Sequence, residues 1–186
     1  MHKKWLYAES LGLLFTMTGF WFMRQLYHLT HYGLSGVLFG CVNHSVWESA
    51  KALLLPYLVW AGIELLCLGK SMRHLCVAKT AALWCIVIVF SGLSLLTAQT
   101  GIPLAASDWL CAGAATVAAT AVSLWLTVTG LPCVQWFPVA LCLLFLLLAC
   151  YFSFTPFPPH HALFADRLSG QYGIPPIGYD FGADVL

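Results

Sequence analysis

Five long apolar stretches, almost free of charge, constrain this chain more than anything else in it. They cover residues 5–27, 47–68, 79–97, 108–130 and 134–154. Each comes close to the roughly 20 residues a helix needs to cross the hydrocarbon core of a bilayer. Lipid offers backbone groups no hydrogen-bond partners, and these runs lack the alternation of barrel strands. The expected fold is therefore all-α: a polytopic membrane protein with five transmembrane helices over residues 1–154. Composition agrees, since the 186 residues are 61% hydrophobic and 8% charged, against about 25% charged in a soluble domain. Lys3 and Lys4 before an apolar run mimic a signal peptide. The run is longer than a signal h-region and no A-x-A-like site follows it, so it reads as a retained helix.

Positive charge sets the expected orientation. Lys3 and Lys4 precede the first span, and Lys70, Arg73 and Lys79 lie between the second and third. With five spans these segments share a face with the turn Gly130-Leu131-Pro132. The positive-inside bias then places the N-terminus in the cytoplasm and the C-terminus outside. The net charge is +1 and the basic residues are dispersed, which gives a nucleic acid nothing to bind. The eight Cys include no C-x-x-C pair and read as small hydrophobes. Trp5, Trp47, Trp109 and Trp136 fall near span boundaries, as an aromatic belt requires. The fourth span, 108–130, is dense in Ala and Gly, which suits intramolecular packing or a homo-oligomer seam.

The segment from 155 to 186 is rich in Pro and Gly and cannot be a long helix. Phe157, Leu163, Phe164, Tyr172 and Ile174 make it too apolar for a free tail. It is expected to fold back as an ordered extracytoplasmic cap.

Polar residues gather on that same outer face. Arg24, His28 and His31 are spaced as one helical stripe if the first helix runs that far. His44, Glu48 and Lys51 form a second stripe, and His160, His161, Asp166 and Arg167 lie in the tail. Each has a plain structural use. Ser45-x-x-Glu48 is a capping box, Glu48 suits pairing with Arg24 or Lys51, and Arg24 can snorkel. They also have chemical uses. Ionisable residues at membrane depth are costly and tend to serve function. Asn43, Ser45, Trp47, Lys51, Arg24, His28, Tyr172 and Asp166 are candidate ligand-binding residues. Glu48 is a candidate general base, with His44 or one of the tail residues His160 and His161 as its partner. His44, Glu48, His160 and His161 are candidate ligands for Zn²⁺. A second pair, Glu9 and Glu64, is expected at similar depth near the cytoplasmic side, sharing a proton, binding a cation, or pairing with Lys3, Lys4 or Lys70.

The run Val42-Asn43-His44-Ser45-Val46-Trp47-Glu48-Ser49-Ala50-Lys51, followed by Pro56, resembles the signature of a family of small, uncharacterised multi-pass bacterial membrane proteins. The tail, with Leu163-Phe164-x-Asp166 and Gly170-x-Tyr172-Gly173-Ile174, resembles that family's C-terminal pattern. His44 stands where the family pattern has Glu, and Ser49 where it has His. The resemblance implies a five-helix membrane fold and no particular activity.

Three functions follow as expectations. The first is an outer-face polar pocket that binds a small polar or amphipathic ligand in a binding, transport-accessory or sensing role. The second is a membrane-embedded enzyme, metal-assisted or not, acting on a lipid or lipid-linked substrate. The third is a structural or assembly subunit.

Overall fold

The computed structural model describes residues 2–68, 72–129 and 133–174. Lys70, the turn at 130–132 and residues 175–186 of the tail lie outside them. The chain is all-helical: α1 (His2–Leu29), α2 (Leu34–Phe39), α3 (Val46–Leu68), α4 (Met72–Thr97) and α5 (Leu104–Thr129) are followed by a 3-10 turn (Cys133–Trp136) and α6 (Phe137–Ser153). Among the described residues the sole β-type pairing is an isolated bridge between Ala165 and Tyr172. Three helices are long and apolar enough to cross a membrane: Val46–Cys67, Met72–Thr97 and Leu104–Thr129. The apolar α6 is shorter, at 17 residues. The 28-residue α1 carries Glu9, Thr16 and Arg24 among its apolar residues.

Helix α4 sits centrally, packed on α3, α5 and α6, and α1 lies against α3 and α5. Phe20, Leu53, Leu83, Ile86 and Phe90 fill the core between small residues, Ala50, Ala82, Ala112, Ala115 and Ala119. In lipid the hydrophobic effect does little to press helices together, so close approach by small residues and polar links has to hold them. The buried face of α5 is made of small residues, among them Cys111, Ala112, Ala115, Thr116, Ala119 and Ser123, whereas Ala114, Val117 and Ala121 face outward. Glycines bring α1 onto α3. A Cβ at Gly19 would stand 2.5 Å from Pro56 Cβ, and one at Gly12 would strike the Trp60 indole.

The ends of α1, α3, α4, α5 and α6 alternate, which defines an upper end (the end of α1, the starts of α3 and α5, the end of α6) and a lower end. Helix α1 stops at Leu29 because His31 and Tyr32 turn left-handed, at φ 49° and 63°. The Tyr32 N–H donates to Tyr27 O at 2.9 Å, and the Tyr32 ring packs on Tyr27 and His28. The stripe expected of Arg24, His28 and His31 therefore breaks before His31. Helix α4 starts at Met72, seven residues before the expected 79, so Lys79 lies within a membrane-length helix and not in a connecting segment. Trp5 and Trp47 are buried in the protein, leaving Trp109 and Trp136 as the exposed members of the expected belt.

Residues 155–174 fold back over the upper end. The Trp47 N–H donates to Leu163 O at 3.0 Å, and the Trp47, Phe154 and Phe164 rings pack on one another at 5.1–5.7 Å. The Asn43 amide donates to Gly173 O at 2.9 Å. Asp166 organises the turn by accepting from the Ser169 N–H and hydroxyl, and Gly170 takes the left-handed φ of 73° that this turn needs.

Candidate functional site

The upper end is built from the Asn43–Lys51 segment outward. Val46 opens α3, so His44 lies before the helix and does not share a helical stripe with Glu48. The start of α3 is half a capping box. Ser45 Oγ accepts the Glu48 N–H at 3.2 Å, but the Ser45 N–H is taken by Asn43 Oδ1 at 2.9 Å. The Glu48 carboxylate is thus released from capping and accepts the Val42 N–H at 3.2 Å.

Glu48 then joins a sealed triad. Its Oε1 accepts the Thr155 hydroxyl at 2.6 Å, and its Oε2 lies 3.3 Å from Lys51 Nζ. Lys51 Nζ also donates to Thr155 Oγ1 at 2.7 Å and to Val37 O at 3.3 Å, and it lies over the Tyr151 ring. All three residues are buried. This triad ties α2, α3 and the end of α6 together.

A second cluster surrounds Asp108, which is fully buried in the first turns of α5. Arg24 Nη1 meets its Oδ2 at 2.6 Å, and Arg167 Nη2 meets its Oδ1 at 2.8 Å. Arg167 also donates to His44 O at 2.7 Å and to Ser49 Oγ at 3.1 Å. The His44 N–H donates to Asp166 Oδ1 at 3.0 Å. The tail is therefore an ionic as well as an aromatic cap. Two guanidinium groups, Arg24 and Arg167, thus face two carboxylates, Asp108 and Asp166, around His44.

Beside this cluster lies a small pocket of about 30 Å³, lined by Arg24, His28, Cys41, Val42, Asn43, His44 and Ser49. That is about the volume of one water molecule. Burial, and then the nearby Arg24 charge, hold the His44 pKa below the usual histidine value, so its imidazole is neutral at pH 7. Burial, followed by the Glu48 charge, pushes the Cys41 thiol up to about 12. Cys41 is thus protonated, and its thiol donates to Glu48 O at 3.0 Å. The pocket offers a guanidinium, an amide and a hydroxyl with neutral imidazole and thiol groups.

Of the candidate ligand-binding residues, Arg24, His28 and Asn43 line this pocket, together with His44. Ser45 caps α3, Trp47 packs under the tail, Lys51 holds Glu48, and Asp166 fixes the tail turn. Tyr172 packs on His160 at 4.9 Å between ring centres. The proposed zinc ligands are not brought together. Among the described residues no group of three or more His, Cys, Asp or Glu side chains is placed to hold a metal ion. His161 Nδ1 instead accepts the Leu163 N–H at 3.3 Å.

The lower end holds a third cluster, drawn from four helices. Lys79 Nζ of α4 lies 2.8 Å from Glu9 Oε1 of α1 and 2.5 Å from Glu64 Oε2 of α3. Ser123 of α5 donates to Glu9 Oε1 at 2.6 Å, and Trp60 Nε1 donates to Glu64 Oε1 at 3.0 Å. Glu9 and Glu64 do meet, through Lys79; of the partners expected for them, Lys70 lies outside the described residues.

Sequence reasoning missed Asp108 and Thr155 as site residues and misplaced Lys79. A signal existed for two of them. Asp108 is the one ionisable residue of Asp, Glu, Lys and Arg type in 104–129, and Lys79 is the one such residue in 74–97. A lone charge inside a membrane-length apolar helix requires a partner. Thr155 carried no comparable signal.

These features define a helical protein with three membrane-length apolar helices and an ionically capped polar end. The chain belongs to DUF6512, a family of unknown function whose model matches residues 1–174. That span includes all three clusters. No curated protein and no solved structure matches the chain.

Proposed function

We propose that this chain crosses the bacterial cytoplasmic membrane five times, with its N-terminus inside and its capped upper end outside. On this reading α1 and α6 complete the three longer apolar helices, and the upper pocket binds a small polar or amphipathic ligand through an anionic group. The observation that carries this is the convergence of Arg24, His28, Asn43, His44 and Ser49 on one opening, beside a carboxylate already held by two guanidinium groups. The Arg24 guanidinium, the one Asp, Glu, Lys or Arg side chain that lines the pocket, and neutral hydrogen-bonding groups suit a carboxylate or phosphate better than a cation. The pocket takes only one small group, so the rest of the ligand lies along the end of the bundle, as an amphipathic molecule at a membrane surface would.

A binding or sensing role fits better than catalysis. Glu48, the candidate base, is held by Lys51, Thr155 and the Val42 N–H, and it does not line the pocket.

The test is thermal stability of the detergent-purified protein with inorganic phosphate, with a short-chain phosphatidylglycerol and with a short-chain phosphatidylcholine. Anionic ligands should raise the midpoint by mass action, and His28→Ala, a change at an exposed pocket residue, should remove the rise. Equal response to both lipids, or none to any anion, would overturn the proposal.

A further inference from the structure

The lower cluster has an uneven charge. One ammonium, Lys79, faces two carboxylates, Glu9 and Glu64, and all three side chains are at most 5% exposed. With every group ionised the cluster carries one uncompensated negative charge in the interior of a bundle with membrane-length helices. A buried, unbalanced charge is strongly disfavoured, and titratable groups in that position take up a proton instead.

We propose that the Glu9–Glu64 pair is a proton-binding site that holds one exchangeable proton in the neutral, resting state. A second observation points the same way. Tyr57, 2% exposed, lies beside the two carboxylates, with its hydroxyl near Ser123, which itself donates to Glu9. The Tyr57 ring lies under Lys79 Nζ at 5.2 Å. The groups beside the pair are thus a hydroxyl and a ring face, which supply no charge to balance the second carboxylate. The other titratable groups facing the cluster are Lys79 and Cys85 on α4; the nearby α5 residue, Ser123, does not titrate.

The geometry favours a proton over a metal cation. Lys79 Nζ already occupies the point between the two carboxylates, and its charge would repel Na⁺ or K⁺ there. Protonating a carboxyl adds no cation at that point and leaves the Lys79 contact in place. Both donors to Glu9, Lys79 and Ser123, converge on a single oxygen, Oε1. A protonated Glu9 can keep both bonds. A cavity of about 190 Å³ lined by α3 and α4, with Leu144 of α6, extends from Met72 at the start of α4 to Lys79.

The test is infrared spectroscopy of the full-length protein in lipid nanodiscs, titrated from acid to alkaline pH in H₂O and D₂O. Wild type should show a protonated-carboxyl stretch at neutral pH that shifts in D₂O and disappears at alkaline pH. The band should be lost in Glu9→Gln, which keeps a carbonyl oxygen for Lys79 and Ser123 and mimics the protonated state, and retained in Glu48→Gln. No such band in wild type would overturn the proposal whatever the variants do. A band that is unchanged in both Glu9→Gln and Glu64→Gln, or that is displaced by sodium at constant pH, would overturn it too. If the variants fold poorly, the wild-type titration still decides. The outcome is independent of ligand binding at the upper pocket.

Discussion

Arg167 of the tail reaches Asp108 of α5 at 2.8 Å, on a carboxylate that is fully buried and already paired with Arg24. This contact, more than the aromatic packing around Trp47, gives the tail a fixed address on the bundle. The Asp108→Asn variant keeps the shape and removes the charge, leaving two guanidinium groups without their shared anion. Breaking one side of a buried pair costs about 3–5 kcal/mol. The expected result is a clear drop in thermal midpoint and protease cleavage within 155–174. Arg167→Gln should loosen the tail while lowering the midpoint less, because Arg24 still holds Asp108. Equal stability of Asp108→Asn and wild type would contradict the ionic cap.

The Glu48–Lys51–Thr155 triad makes a sharper distinction. Thr155→Val keeps the volume and removes one hydroxyl, leaving Glu48 Oε1 and Lys51 Nζ each short of a buried partner. An unsatisfied buried polar group costs about 1–3 kcal/mol. Thr155→Ser should retain most of the wild-type stability. Comparing the two midpoints separates the hydrogen bonds from the packing of the methyl group.

Acid should weaken the cap through His44. Its folded-state pKa lies below the usual histidine value, so the unfolded chain binds the proton more readily. Stability from this group is fully present above about pH 6.5, the unfolded value. It falls as the pH drops from there through the lowered folded value. His44→Gln should flatten that part of the stability profile. A profile unchanged by His44→Gln would show that another group dominates below pH 6.5.

Helix spacing predicts opposite outcomes for two glycines. At Gly19 a Cβ meets the rigid Pro56 ring, so Gly19→Val should cost about 1–3 kcal/mol by overpacking the α1–α3 contact. Gly92, inside α4, has nothing within 4 Å of an added Cβ. Gly92→Ala should stabilise by about 0.5–1 kcal/mol through helix propensity and chain entropy. The two thermal midpoints, measured side by side, check the placement of α1 on α3.

Much of the fold was legible in the sequence. The apolar runs gave five long helices within a few residues at most of their ends, and the error at α4 has a specific cause. Lys79 looked like a loop charge because a lone lysine in lipid is unfavourable; it lies inside the helix because Glu9 and Glu64 meet it there. Arg24, His28, Asn43 and His44 were legible as candidate pocket residues. Glu48 was legible as a partner for Lys51; its contact with Thr155 was not, because nothing in its local spacing reveals that Thr155, far along the chain, lies against it.

The sequence by itself determined that the chain is helical and which segments are long and apolar. Length and hydrophobicity are local properties, and a backbone without water must bond to itself. Only the tertiary structure decided which charge meets which. Glu9 and Lys79 are 70 residues apart, and Glu48 and Thr155 are 107 apart. Their pairing depends on how each helix is rotated about its axis and which neighbours the alanines and glycines allow it to approach. A carboxylate in an apolar helix announces that it needs a partner; the packing of the bundle supplies it.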